Sequence, residues 1–137
     1  MAPARLEPDA TSRIIDLGTS IITECDGFLR LTVRPGTHYV LEHSTEVVKV
    51  FAELSGGRAT PIVVTAFGYA SADAASRRYL SGPEAKKAVL AMAIVVHSSV
   101  MRVIATFVVR IAGPEFPCRV FTDDDEAIQW ARSHAQR

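Results

Sequence analysis

A chain of 137 residues, 48% hydrophobic and 22% charged, is long enough for one domain with a packed core and has the balance of a globular protein. Fifteen Lys and Arg residues offset fifteen Asp and Glu, so the chain lacks the basic excess of a nucleic-acid binder and has no net attraction to anionic lipid. The longest unbroken apolar run, residues 88–96, is too short to cross a bilayer, and no membrane span is expected.

Residues 1–18 read as a loose N-terminal arm. The opening MAPARLEPDATSR has no apolar core, so a secretory leader is not expected and a cytoplasmic location is the default expectation. Residues 19–137 then read as a single domain. Asp26-Gly27 between two alternating runs is a two-residue hairpin signal. That turn sets Cys25 opposite Phe28, Glu24 opposite Leu29 and Ile22 opposite Leu31. One face then carries Ile22, Leu29, Leu31 and Val33 toward the core. The other carries Thr23, Arg30 and Thr32 and is expected to be solvated.

Residues 41–55 predict the first helix, with Val47, Val48, Phe51 and Leu54 near helical spacing and Gly56-Gly57 as its stop. Pro61 opens a strand over 61–67. A helix over 73–80 follows, and Pro83 starts a short one in PEAKKAV. Residues 90–97 are apolar almost throughout, as in a central strand covered on both faces. Ser98 or Ser99 caps a helix that runs to Ala112 and stops at Gly113-Pro114. The last strand covers 117–122. The last helix starts at Thr122, with Asp123, Asp124, Asp125 and Glu126 in its first turn and Ala127, Ile128, Trp130 and Ala131 on its apolar face. A hairpin followed by alternating strands and helices gives an α/β fold, a mostly parallel five-stranded sheet with four to five helices. With strands adjacent in chain order, Cys25 and Cys118 lie four strand steps apart, roughly 19 Å. That is too far for a disulfide, so both are expected to be reduced.

The order ββαβαβαβα resembles the STAS domain, the fold of bacterial anti-sigma-factor antagonists. More closely, the chain resembles small uncharacterised bacterial proteins of STAS/SEC14-like type. The segments that carry the likeness are ELSGGRATPIVV (53–64), SRRYLSGPEAKKAVLAMAIVV (76–96) and FPCRVFTDDDEAIQW (116–130). The resemblance implies a non-enzymatic regulatory or protein-interaction module. Its SEC14-like side implies a carrier of a small apolar ligand or lipid. In anti-sigma-factor antagonists, a serine just after an aspartate at the start of a helix is the phosphorylation switch. Asp73 matches that aspartate, but Ala74 and Ala75 follow it and the acceptor hydroxyl is missing. Ser71 and Ser76 are the nearest alternative acceptors.

In open parallel sheets the functional crevice lies beyond the carboxyl ends of the strands. Those ends supply Phe67 and Tyr69 with Ser71 and Asp73 close behind, then His97 and Ser98, and finally Thr122 and Asp123. His97, Ser98 and Asp123 hint at a hydrolase constellation, but no nucleophile elbow accompanies them, and a capping role for Ser98 is the better account. The acids 123–126 sit on successive helical positions and point apart, so they offset a helix dipole rather than converge on a metal. The four histidines have no ligand spacing, and no cofactor or metal is expected. The helix over 99–112 is more informative. Val100, Val103, Ile104, Phe107, Val108 and Ile111 form a broad apolar face, the natural core face. Met101, Ala105, Val109 and Ala112 form a narrower stripe, left either for neighbouring helices or for a protein partner or a second copy. On the second alternative Met101 and Val109 become binding residues.

Overall fold

The computed structural model describes residues 13–66 and 70–135. Gly27, at φ +87°, closes the hairpin between β2 (Ser20–Cys25) and β3 (Phe28–Val33). The pairing is the one the turn dictates: Cys25 with Phe28, Glu24 with Leu29, Ile22 with Leu31. The predicted edge gains one more strand. Residues assigned to the arm by sequence form β1 (Ile14–Asp16), antiparallel to β2, with Ile15 packed on the core.

From β3 onward each strand is parallel to its predecessor: β5 (Thr60–Ala66), β7 (Val89–Val95) and β8 (Cys118–Phe121). The sheet order is β1-β2-β3-β5-β7-β8. The sheet is therefore six-stranded and mixed, not the mostly parallel five-stranded sheet expected. Cys25 and Cys118 stay four steps apart, both free. A second ladder pairs β4 (His38–Tyr39) with β6 (Ser71–Ala72) in parallel, where the sequence signals only loop. Among the described residues five helices complete the fold: α1 (Leu41–Leu54), α2 (Ala74–Ser81), the one-turn α3 (Pro83–Lys86), α4 (Ser99–Ala112) and α5 (Asp124–Ala135).

The sheet separates two cores. On one side α1 drives Val47, Val48, Phe51 and Leu54 onto Ile22, Leu29, Leu31, Val33 and Ile62. On the other, α5 places Ala127, Ile128 and Ala131 on Phe28, Val63, Ala93, Val95 and Phe121. Alanines on both partners let that helix approach the sheet closely. The hairpin face expected in water is thus the one α5 covers, and Arg30 on it keeps only 12% of its side chain exposed. The cap of α5 also shifts by one residue. Asp123 Oδ1 accepts from the Glu126 N–H at 3.1 Å, and Thr122 stays exposed before it. Aspartate is the stronger cap because its carboxylate also meets the helix dipole.

Coverage of β7 is unequal. Val89, Ala91, Ala93 and Val95 are buried, whereas Leu90, Met92 and Ile94 on the other face are only half-buried. The strand read as covered on both sides is fully covered on one. The difference arises from where α4 sits.

Candidate interaction surface

Helix α4 begins and ends as its sequence requires. The Ser98 Oγ accepts from the Met101 N–H at 3.1 Å, and Gly113 takes the left-handed conformation at φ +59°. Between those caps no residue of α4 is buried. The helix packs mainly on β8, the short edge strand, and on α2. Its inward side carries Ala105, Thr106 and Val109, all half-buried. Small side chains there allow a close approach to a strand of four residues. The broad apolar face consequently points outward. Val100 and Val103 are 68% exposed, Phe107 64%, Ile111 70%, Ile104 50%, Val108 44% and Met101 42%.

This reverses the sequence assignment. The face taken as core is in solvent, and of the narrower stripe Met101 is exposed while Val109 turns inward. A helix follows the surface it is offered. With the centre of the sheet face taken by α1 and its edge only one short strand wide, docking selects the small residues. The reversal has a direct consequence. Val108→Glu should leave the fold intact, with a melting temperature within about 2 °C of wild type, since substitutions at exposed sites stay near ±0.5 kcal/mol. Val109→Glu should cost about 2 kcal/mol, because a carboxylate would be pressed against the apolar groups that Val109 packs on. Thermal melts of the two variants check the order.

Beneath α4 lies an apolar cleft of about 160 Å³ lined by Leu80, Met92, Ile94, Val109, Phe116 and Cys118. Burial pushes the Cys118 thiol up to about 12, so at neutral pH it is a packed apolar group rather than a nucleophile. The Cys25 thiol is raised too, chiefly by burial under α5. A wider depression of about 420 Å³ separates α2 from α4 and is bounded by Ala74, Arg77 and Arg78 on one side and Phe107, Val108 and Ile111 on the other.

The remaining candidate residues fall into two groups. Phe67 and Tyr69 lie outside the described residues. Asp73 caps α2, its Oδ1 accepting from the Ser76 N–H at 2.8 Å. Ala74, which the resemblance sets against the switch serine of anti-sigma-factor antagonists, therefore stands on the rim of the depression that Phe107 and Ile111 bound. Ser71 sits on the β4–β6 ladder with its Oγ 2.7 Å from Nδ1 of exposed His38, a pair that sequence spacing gave no sign of. Ser76 is fully buried, its hydroxyl sharing a hydrogen bond with that of Ser44 on α1. His97, Ser98 and Met101 cluster at the start of α4, all exposed.

Ser98 and Asp123 each cap a helix, Ser98 at the start of α4 and Asp123 at the start of α5. Among the described residues no group of three or more His, Cys, Asp or Glu side chains is placed to hold a metal. The acidic run is used locally instead: Asp123 caps α5, and Asp124 pairs with Arg30. The sequence missed Arg77, Arg78, Phe107 and Ile111 as surface-forming residues. The signal was present in the spacing of Val100, Ile104, Phe107 and Ile111, at 4, 3 and 4 residues, which is the seam of a coiled coil.

The architecture is similar to the crystal structure of an uncharacterized protein of the DUF3478 family with a SpoIIAA-like fold from Shewanella loihica PV-4, with a TM-score of 0.52 and 11% identity over 88% of this chain and 92% of that one. At such identity the likeness is one of fold, and it supports the STAS-like topology. No curated protein matches the chain. A family match spans residues 21–135, from the hairpin to the last helix, and the chain belongs to that family, described as Domain of unknown function (DUF7793).

Proposed function

We propose that the protein is a non-enzymatic protein-interaction module of bacterial regulation, and that it works through the outward face of α4. The observation that carries this reading is the orientation of that helix: seven large apolar side chains stand in solvent, each 42% exposed or more. Water around such a patch is released when a partner covers it, which makes covering favourable by roughly 25 cal/mol for each Å² removed. The position of Ala74, Arg77 and Arg78 beside Phe107 and Ile111 adds support. It puts the segment that resembles the anti-sigma-factor-antagonist switch next to the apolar face, so a partner on one would contact the other. A cytoplasmic location goes with this proposal, and no helix among the described residues is long and apolar enough to cross a membrane.

A second reading, a carrier of a small apolar ligand, draws on the cleft under α4. Its lining is almost wholly apolar, with Arg77 at the rim. Its volume of about 160 Å³ falls below the roughly 300–1,000 Å³ of ordinary ligand pockets. The cleft as it stands has room for part of a lipid tail and not for a whole lipid, and the interaction reading is preferred. Native mass spectrometry of the protein purified from its own host separates the two. Protein complexes that are lost in a Phe107→Glu variant fit the interaction module. A stoichiometric apolar ligand on a monomer, retained in that variant, fits the carrier.

A further inference from the structure

The geometry points to a second copy of this chain as the occupant of the α4 face, in a two-fold dimer whose α4 helices pack antiparallel. This inference rests on the reading of α4 as an interaction surface and names the partner. Two features of the helix argue for it. The first is the seam. Val100, Ile104, Phe107 and Ile111 are spaced 4, 3 and 4 residues apart and are all at least 50% exposed. That spacing keeps a narrow apolar line facing another helix. A two-fold axis requires a surface complementary to itself. An antiparallel pairing centred between Ile104 and Phe107 meets the requirement, because Val100 of one copy then lies against Ile111 of the other, and Ile104 against Phe107.

The second feature is extent. The seven exposed apolar side chains of α4 each leave on the order of 100 Å² in water, giving on the order of 700 Å², close to the roughly 800 Å² per partner of a standard stable interface. It also exceeds the roughly 300–600 Å² of the largest apolar patch on a typical monomer.

Charge selects the direction. Helix α4 contains Arg102 and Arg110 and no carboxylate. A parallel pair would set the two helix dipoles side by side in the same sense, whereas an antiparallel pair opposes them. Arg102 lines the groove between α4 and β8 with Cys118 and Arg119.

The test uses the full chain. Light scattering after size exclusion, from about 5 to about 200 µM, should return the dimer mass, and Phe107→Glu should weaken dimerisation by roughly 30-fold or more with unchanged circular dichroism and melting. Val103→Glu, at a 68% exposed position, serves as the second variant and should do the same. Direction is read in a Cys25→Ala/Cys118→Ala background. Val100→Cys and Ile111→Cys chains should form a mixed disulfide when combined and little dimer when oxidised alone.

A wild type that stays monomeric throughout, with both variants folded, overturns the second copy and leaves the face for a different protein. A monomeric wild type that both glutamate variants unfold, or one that binds phosphatidylglycerol vesicles through Phe107, overturns the interaction reading as well. Self-crosslinking of Val100→Cys alone, in place of the mixed product, overturns the antiparallel arrangement.

Discussion

A Ser76→Asp variant is expected to lose about 4 kcal/mol or more of stability, lowering the melting temperature by roughly 12 °C or more if it folds at all. Ser76 has no exposed surface, and its hydroxyl is hydrogen-bonded to that of Ser44 across the α1–α2 contact. A carboxylate at that position would be charged and enclosed, packed against the Ser44 hydroxyl. Its nearest acidic neighbour, Asp73, already accepts the Ser76 N–H and would repel it. Ser71→Asp should stay within about 0.5 kcal/mol of wild type, because the hydroxyl it replaces is half-buried and bonded to the exposed His38 ring. Ser76→Ala should fall between, at about 1–2 kcal/mol, from the unpaired Ser44 hydroxyl it leaves behind.

Melting curves of the three variants give the order. The consequence concerns the switch. The family position is Ala74, which has no hydroxyl, and Ser76 presents none to solvent. Ser71 is the acceptor left for any phosphorylation near the start of α2, and phosphopeptide mapping that finds Ser76 modified in folded protein would contradict this account.

The parts of this fold that were legible in the sequence are those fixed by short-range chemistry. Asp26-Gly27 dictates a turn with positive φ, and from the turn alone follows every pairing along β2 and β3. The cap residues bound α4 to within one residue, Ser98 or Ser99 at its start and Gly113 at its end, because capping is a local interaction. Chain-order adjacency of the parallel strands followed from right-handed crossovers, which leave few other arrangements.

The parts that were not legible depend on what lies across from a residue. Ile14–Asp16 has too few residues to show alternation, and β2 supplies its register. The β4–β6 ladder joins two-residue segments 33 positions apart, and nothing within either segment marks it. For α4 the hydrophobic pattern identified an apolar face but not its direction. A wide apolar stripe normally faces the sheet, and here the edge strand beneath is too narrow to receive it. The candidate surface was therefore visible in the residues and assigned to the wrong side of the helix.

Asp124→Ala is expected to cost about 3 kcal/mol, and Arg30→Ala about 2 kcal/mol, an order that follows from which charge each substitution strands. Arg30 reaches Asp124 with two parallel bonds, of 3.1 Å to Oδ1 and 2.9 Å to Oδ2. Such forked pairs are among the stronger charge-assisted contacts. The same guanidinium donates to the Thr65 hydroxyl and lies over the Phe28 ring at 5.8 Å. One side chain thus ties β3, β5 and the start of α5 together.

Without Asp124, a cation with only 12% of its side chain exposed is left over an aromatic ring with no counter-charge. Without Arg30, the stranded carboxylate is 27% exposed and sits in the first turn of α5, where water and the helix dipole partly compensate it. Arg30→Met should be milder than either truncation when it is combined with Asp124→Ala, because an apolar side chain of similar length removes the desolvation cost along with the attraction. Urea unfolding with an unchanged slope checks all three. None of them should alter dimerisation, since α5 and Arg30 lie on the sheet face opposite the α1 core, remote from the α4 seam. A stability change without an association change is what separates this network, which holds the fold, from the helix face proposed for association.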